Sequence, residues 1–311
     1  MRGQAVISGP AQLPASGSWS GASASIQLID VSESTHTDVI VTSPGDSIVG
    51  RGSTWRRWEP HIHTPGTILN DQFGGPQVWD QYLSRIEQAT PAVQALGVTD
   101  YWTLDRYRDV LAHKAAGRLA GVALIFANVE LRLAIRTASG APLNAHLLIS
   151  PDDPEHVARA EGFLAQLTFD AYGEHFCCTR EDLMRLGRAH ETGPHTDEHA
   201  LLVGAEQFKV SPSDISDVLN ATWAQENILI AVAGASNDGT SGLQKDGSMT
   251  ALRREIERMA HAVFSASPAD QTFWLGHGAS TKERIVQTYD ALKPCLHGSD
   301  AHTLDRVCAP D

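Results

Sequence analysis

The stretch EPHIHTPGTILNDQFGG, residues 59–75, joins a short apolar alternation to a loop rich in proline, glycine, asparagine and aspartate. His61 and His63 flank one apolar residue, and side chains at positions i and i+2 of a strand point to the same face. The two imidazoles are therefore predicted to project together from a strand end into the loop. A metal site held open by the loop fits this arrangement, and two polar residues that merely alternate would give the same spacing.

The composition of the 311 residues is that of a globular protein, with 42% hydrophobic and 20% charged residues. No apolar run is long enough to cross a bilayer, and the N-terminus lacks the pattern of a signal peptide. We therefore expect a cytoplasmic protein without a membrane partner. Four cysteines, two of them adjacent and none in CxxC spacing, predict reduced thiols and argue against a disulfide framework or a zinc ribbon.

The net charge of −13 and the pI near 5.5 point away from a protein whose main feature is a basic nucleic-acid-binding face. An acidic chain suits a site that collects cations. It does not exclude a phosphate substrate, because bound metal ions would supply the local positive charge.

The pattern of the chain changes at about residue 52. Residues 1–52 are rich in serine, glycine, alanine and threonine and are interpreted as a flexible or weakly structured extension. Over residues 53–311, short apolar strands alternate with amphipathic helices, which predicts an α/β domain with a parallel sheet, open or closed into a barrel. Within this domain, the pattern predicts a mostly helical region over about 170–225, a helix over 249–266 and a strand at 272–276.

Acidic residues and histidines recur at the ends of the predicted strands. Beyond the first pair, these residues are Asp100, Glu130, His146, Asp300 and His302. Because ligands gather at the carboxyl ends of strands in parallel α/β folds, we expect these side chains to meet. Imidazole and carboxylate ligands suit Zn, Mn or Fe and can hold two or three ions. Each residue alone could be a helix cap or a surface residue, but the ordered recurrence predicts metal-assisted hydrolysis.

This ordered set resembles the PHP (polymerase and histidinol phosphatase) superfamily of metal-dependent phosphoesterases. The superfamily pattern runs HxH, TDH, a glutamate after a strand, further histidines and a late DxH; the matching positions are His61, His63, Asp100, Glu130, His146, Asp300 and His302. The resemblance covers about residues 53–305. It implies a distorted (β/α)7 barrel with the metal site at the strand C-termini.

Four segments also resemble the TrlF-like group, in which a PHP domain precedes an SMC-like or AAA-like ATPase: STWRRWEPHIHTPG, ALGVTDY, AVAGASNDGTSGL and PCLHGSDAH. This sequence contains no GxxxxGK[ST] phosphate loop, so we expect no nucleotide-binding loop and no ATPase in it. An isolated domain, a piece of a longer protein and a standalone relative all remain open.

The sequence departs from the family pattern at three places. Tyr101 stands where many members have the histidine of TDH, and Asn70 or Asp71 stands where the first loop often places another ligand. After the late strand, Asn237 and Asp238 occur in place of a histidine. Two ions instead of three, oxygen ligands that compensate for lost nitrogen, and a decayed site are all compatible with these changes.

The resemblance implies a hydrolase that cleaves phosphodiester bonds of nucleic acid, with two or three divalent ions held by His61, His63, Asp71, Glu130, His146, Asp300 and His302. The alternative is a catalytically decayed PHP domain that serves as a regulatory or scaffolding module for a partner ATPase. A nuclease predicts metal-dependent cleavage, whereas a scaffold predicts weak metal binding without turnover.

Three further residues are assigned catalytic roles. The pKa of Asp100 is predicted to be lowered by nearby cations, so that its carboxylate ligates a metal or holds an imidazole. The phenol of Tyr101 could donate to a substrate phosphate, and His297 could orient a ligand. The histidines without a strand-end position are interpreted as solvated or helix-terminal: His175, His195, His199 and His277.

Overall fold

The computed structural model describes residues 55–243 and 247–309. The predicted extension over residues 1–52 lies outside the described residues, so the division of the chain near residue 52 stays a prediction. Cys177, Cys178, Cys295 and Cys308 are all free thiols, as predicted. None of the helices found within the described ranges has the length and apolar character needed to cross a bilayer.

Nine strands and ten α-helices occur in the described part of the chain. The strands are β1 (Arg57–His63), β2 (Val93–Tyr101), β3 (Leu124–Arg136), β4 (Pro142–Ile149), β5 (Thr168–Ala171), β6 (Glu174–Cys177), β7 (Ile228–Ala233), β8 (Ala262–Phe264) and β9 (Cys295–Leu296). The helices are α1 (Val78–Glu87), α2 (Asp105–Ala115), α3 (His156–Leu164), α4 (Arg180–His190), α5 (Asp197–Gln207), α6 (Pro212–Leu219), α7 (Thr222–Asn227), α8 (Thr250–Met259), α9 (Pro268–Trp274) and α10 (Lys282–Tyr289).

Seven of these strands form one sheet in the order β1-β2-β3-β4-β7-β8-β9, and β5 and β6 form a separate hairpin. Strand β4 is antiparallel to both of its neighbours, whereas the other pairs in the large sheet are parallel. The prediction of a parallel sheet is therefore wrong at β4. Only residues 137–141 join β3 to β4, which is too short for the crossover of about a dozen residues that parallel strands need. The strict strand–helix alternation of a (β/α)7 barrel is not kept here.

The large sheet curls until the segment after β9 lies against β1. The backbone N–H of Asp300 donates to the carbonyl of His61 at 2.9 Å, and the N–H of Ser299 donates to the Glu59 carboxylate at 2.7 Å. Gly298 is needed for this approach, since a Cβ atom there would lie 2.7 Å from the backbone N and O of His61. The result is a nearly closed, barrel-like sheet in a mixed α/β fold.

The two faces of the sheet carry separate apolar cores. The outer core lies under the helices and is the larger one, with buried residues from most elements. The inner core is small and lies on the face that the even-numbered residues of β3 share; its members are Phe126, Leu148, Ala231 and Ala262, with Leu124, Leu229, Phe264 and Leu296 packed against them. The inner core fills one end of the barrel-like sheet and leaves the other end to polar residues.

Two predicted elements differ in the structure. The predicted strand at 272–276 lies mostly within α9, because the Ser267 hydroxyl caps the helix at the Asp270 N–H and Pro268 occupies its first turn. The predicted helix over 249–266 ends at Met259. His261 then donates its N–H to the carbonyl of Ile230, which draws the following residues into the sheet as β8. The mostly helical region over about 170–225 is confirmed from α4 onward, after the β5–β6 hairpin.

Candidate metal centre

Five of the predicted site residues meet at the polar end of the barrel-like sheet. Their possible ligand atoms form two overlapping groups, one of His61, His63 and Glu130 and the other of His63, Asp300 and His302. Within each group, all ligand atoms lie within 4.8 Å of one another. The pairing of parallel β1, β2 and β3 and the return of the chain after β9 bring residues from both ends of the sequence to one place.

The distances within the cluster are those of ligand atoms around a cation. The Nε2 atom of His61 lies 3.2 Å from Asp300 Oδ1 and 3.5 Å from Glu130 Oε2. The Nε2 atom of His63 lies 3.4 Å from Glu130 Oε2 and 3.6 Å from Asp300 Oδ1. Zinc bonds of 2.0–2.1 Å in a tetrahedron place ligand atoms about 3.3 Å apart. Both Nε2 atoms are buried and form no hydrogen bond within the described part of the chain.

The hydrogen bonds behind His63 fix which of its nitrogens faces the cluster. The Thr67 hydroxyl donates its single proton to Asp100 Oδ1 at 3.1 Å, so it can only accept from His63 Nδ1, which lies 3.1 Å away. The proton of the neutral imidazole is therefore on Nδ1, and the lone pair of Nε2 points at the carboxylates. A histidine oriented by a hydrogen bond on its other nitrogen is the usual state of a metal ligand.

His146 is also oriented by a hydrogen bond on its Nδ1 atom. Its side chain is 1% exposed, and its ring centroid lies 4.6 Å from that of His61. The amide of Asn128 donates to the carbonyl of Pro60 at 3.0 Å, which leaves its oxygen to accept from His146 Nδ1 at 3.1 Å. The Nε2 atom of His146 therefore keeps its lone pair. His146 lies within β4 opposite Glu130 rather than at a strand end, as the antiparallel register requires.

The charges of the cluster are those that a cation requires. Burial would raise the pKa of Glu130, but the surrounding imidazoles hold it well below its ordinary value. The Asp300 side chain is 61% exposed, so the partial loss of water that would raise its pKa is outweighed by the imidazoles, which hold that pKa at about 2. Burial lowers the pKa of His63 to about 4, and burial together with the charge of His61 lowers the pKa of His146 to about 3. Ionised carboxylates beside neutral imidazoles are the protonation states of metal ligands.

His61 differs from His63 and His146 in the direction in which its pKa is shifted. Burial disfavours its imidazolium form, but Asp300, Glu130 and Glu59 outweigh that effect and raise its pKa above the ordinary value. Asp300 has a left-handed backbone with φ of 45°, held by the hydrogen bond of its N–H to His61. A non-glycine residue in this region is strained, and such strain is common where a side chain must be aimed at a site.

Asp100 lies behind the cluster, where it contacts Thr67 rather than an imidazole. Its carboxylate accepts hydrogen bonds from the Thr67 hydroxyl, from the N–H groups of Ile68 and Tyr101 and from the Thr103 hydroxyl. Burial raises the pKa of Asp100 to about 6, although these hydrogen bonds and Arg106 lower it in part. The predicted lowering of this pKa depends on bound cations beside Asp100 and stays a prediction.

Tyr101 forms one wall of the cluster. Its ring stacks on His63 with centroids 5.0 Å apart, and the Arg132 guanidinium lies 5.3 Å from the centroid of the Tyr101 ring. Burial raises the pKa of Tyr101 far above its ordinary value, so the phenol stays neutral and can donate a proton in a hydrogen bond.

Two predicted site residues are not brought into the cluster. The Asp71 carboxylate accepts the N–H groups of Gly66 and Phe73 at 3.0 Å each, which makes it a turn-forming residue of the first loop. His297 is exposed and has no hydrogen bond or ion pair to any residue within 55–243 or 247–309. Their roles as ligand and orienting residue stay predictions without a contact to support them.

The site also contains Asn144, which the sequence motifs did not indicate, and Asp238, which follows the late strand in place of a histidine. The Asn144 amide donates to Glu130 Oε1 at 2.8 Å and contacts Asp238 Oδ2 at 3.3 Å. Burial raises the pKa of Asp238, and the charges of Glu130 and Asp300 add to that effect. The strand period of two could have indicated both asparagines in the sequence. Asn144 lies two residues before His146 and Asn128 two residues before Glu130, so each shares a strand face with a site residue.

We expect Asp100→Asn to weaken metal binding by about 10–100-fold, the usual range for partners that orient a ligand. A neutral amide accepts less strongly from Thr67, so the Nδ1 proton of His63 is less firmly placed. Tyr101→Phe is expected to have a smaller effect, because its hydroxyl forms no hydrogen bond to the described residues. Metal titration of both variants checks the order, and greater damage by Tyr101→Phe would contradict it.

The fold and the site define an α/β protein with a candidate metal centre at the polar end of a barrel-like sheet. No family model matches this chain, and no curated protein matches it. A crystal structure of a proposed metal-dependent phosphoesterase from Bifidobacterium adolescentis is similar over 79% of this chain and 88% of that chain, with 14% sequence identity and a TM-score of 0.35. A similarity of this size does not assign a family.

Proposed function

We propose that this protein is a metal-dependent phosphoesterase that cleaves phosphodiester bonds of nucleic acid. The observation that supports this function is the pair of buried, unbonded Nε2 atoms of His61 and His63, which face two ionised carboxylates at 3.2–3.6 Å. The Nε2 lone pair of His63 and the negative charges of Glu130 and Asp300 converge on one place, which favours a cation there. The resemblance of the sequence motifs to PHP phosphoesterases supports the substrate class.

Each residue of the cluster has a definite task under this proposal. His61, His63, Glu130, Asp300 and His302 would hold two divalent ions, such as Zn, Mn or Fe, and His146 stands beside them as a further nitrogen ligand. When bound, such ions lower the pKa of a coordinated water and neutralise phosphate oxygens. The neutral phenol of Tyr101 would donate a hydrogen bond to a substrate oxygen.

Arg132 provides a positive charge at the edge of the cluster. It lies two residues after Glu130 on the same face of β3, and it forms no ion pair to any residue in the described ranges. Its buried Nε atom also has no hydrogen-bond partner there. A guanidinium binds a phosphate through two parallel hydrogen bonds, so a free Arg132 favours an anionic phosphate substrate over a neutral one.

We expect Arg132→Gln to raise KM for a phosphodiester by about 10–100-fold, the equivalent of one hydrogen bond to a charged group. The metal content should not change, because Arg132 contacts Tyr101 rather than the ligands. Arg136→Gln on the same strand is the matched control, since the Arg136 guanidinium is exposed and donates to the carbonyl of Gly140. Equal KM values for the two variants would remove Arg132 from substrate binding.

The proposed function is tested with single-stranded DNA, duplex DNA, tRNA and a phosphomonoester, each with added Mn and after chelation. We expect cleavage of a nucleic acid that needs the metal and that disappears in the double variant His61→Ala, His63→Ala. The protein as isolated should contain at least one Zn, Mn or Fe ion per chain. If the metal-loaded protein cleaves none of the four substrates, the alternative of a regulatory module for a partner ATPase is favoured.

A further inference from the structure

Helices α4 and α5 form an antiparallel pair whose connecting loop is fixed by close packing of the two backbones. A Cβ atom on Gly187 would lie 1.9 Å from the carbonyl oxygen of Ala200, and one on Gly204 would lie 1.7 Å from that of Leu183. Only glycine permits this distance at either position. The loop over residues 191–196 therefore leaves α4 and enters α5 at defined points.

Three potential ligands meet at this loop, apart from the cluster at the strand ends. Glu191 follows the last residue of α4, His195 lies in the loop and His199 lies in the first turn of α5. Their ligand atoms all lie within 4.8 Å of one another. The Nε2 atom of His199 forms a hydrogen bond with Glu191 Oε2 at 2.9 Å, and the Nε2 atom of His195 lies 3.9 Å from the same oxygen. A zinc ion with ligand atoms about 3.3 Å apart would replace the proton of this hydrogen bond.

The Nε2 atom of His195 is the observation that points to a ligand. It is buried and has no hydrogen-bond partner in the described part of the chain, and the His195 side chain is 18% exposed, against 44% and 47% for Glu191 and His199. A buried nitrogen that faces a carboxylate and a second imidazole has the surroundings of a metal ligand. A plain surface histidine would be expected to reach water or a partner.

Outside the cluster, the two nearby basic side chains are paired with other groups and leave Glu191 to the two histidines. The Arg188 guanidinium is paired with Asp197, and the His190 ring forms a hydrogen bond with the Tyr172 hydroxyl at 2.5 Å. An anion and two imidazoles on a rigid backbone match the donor set of three-ligand zinc sites.

We propose that Glu191, His195 and His199 form a second divalent-metal site, selective for zinc-like ions, that fastens the loop between α4 and α5. Water would fill the remaining coordination position. The site shares no residue with the cluster of His61, His63 and Glu130, so it does not depend on the proposed phosphoesterase function. The two histidines, interpreted from the sequence as solvated, are assigned a structural role by their spacing and by the unbonded Nε2 atom.

The test is zinc binding by the full chain after removal of metal with a chelator. We expect the double variant His195→Ala, His199→Ala to bind one zinc equivalent fewer than the unmodified chain, and to lose the rise in thermal unfolding temperature that this equivalent produces. His175→Ala is the matched control, because His175 is an exposed histidine paired with Asp170. It should bind as much zinc as the unmodified chain.

Two further measurements separate this site from the first one. Glu130→Gln should lose zinc at the strand ends and retain the equivalent at the loop, and Co2+ loaded into that variant should give the visible absorption of a tetrahedral site. Glu191→Gln, which changes only one oxygen, tests the site if the double histidine variant does not fold. Equal zinc content of Glu191→Gln or of the double variant and the unmodified chain would overturn the proposal, whatever the nuclease assays show.

Discussion

Glu130→Gln is expected to weaken metal binding by at least about a hundredfold, since even residues that only orient a ligand are worth 10–100-fold. Glu130 is 3% exposed, and its Oε2 atom lies 3.4–3.5 Å from the Nε2 atoms of His61 and His63, whose other neighbour is Asp300 Oδ1. Glutamine has the same shape but no charge, and it would direct an N–H group at the nitrogens in place of an acceptor. Phosphoesterase activity should fall with the metal content.

This variant is expected to fold, which makes the loss interpretable. Its Oε1 atom can still accept the hydrogen bond from Asn144 that Glu130 accepts at 2.8 Å. Glu226→Gln is the control, because Glu226 is exposed at the end of α7. Metal content by elemental analysis and cleavage rate with added Mn are the two measurements. A Glu130→Gln protein with full metal content would show that the carboxylate is not a ligand.

Gly97→Ala is expected to lower the free energy of unfolding by about 1–3 kcal/mol, the usual cost of overpacking. A Cβ atom at Gly97 would lie 2.3 Å from the carbonyl oxygen of Pro60 and 2.7 Å from two ring atoms of Phe126. Both contacts lie inside the curled sheet, where Phe126 belongs to the inner core and has little room to move. The Pro60 carbonyl also anchors Asn128, so the orientation of His146 should loosen as well.

Gly162→Ala provides the opposite outcome in the same protein. Gly162 lies in α3 with nothing within 4 Å of the added Cβ, so alanine there should stabilise the helix by about 0.5–1 kcal/mol. Thermal or urea unfolding of the two variants gives the comparison. A Gly97→Ala protein as stable as the unmodified chain would show that the interior of the sheet is less tightly packed than these distances require.

The sequence was sufficient for the residues whose position follows from a short local pattern. The alternation of His61 and His63 around one apolar residue placed both imidazoles on one strand face, and the cluster contains them together. Apolar strands ending in Asp300 and His302, or carrying Glu130, indicated which other side chains would join them. Which side chains share a strand face can be predicted from the local sequence, because residue type and strand period are properties of a few consecutive residues.

The predicted type of an element, helix or strand, was wrong where the local sequence pattern and the tertiary contacts favour different structures. The apolar residues at 272–276 read as a strand, yet Ser267 and Pro268 start a helix that covers most of them. Residues 262–264 read as the end of a helix, yet a hydrogen bond to Ile230 and pairing with β7 make them a strand. Three residues are too few for a periodic signal, so the neighbouring strand decides their conformation.

The tertiary structure alone decided which of the predicted site residues lie in the cluster and which lie outside it. Asp100 follows the same strand-end signal as Glu130, and Asp71 was named for its place in the first loop, but folding places Asp100 behind Thr67 and leaves Asp71 to close a turn. The distances of Asp100 and Asp71 from the cluster depend on how separate segments of the chain pack together. Three further features depend on tertiary contacts in the same way: the antiparallel direction of β4, the closing of the sheet at Gly298 and the grouping of Glu191 with His195 and His199. Each requires separate segments to pack at a particular distance, which no local pattern encodes.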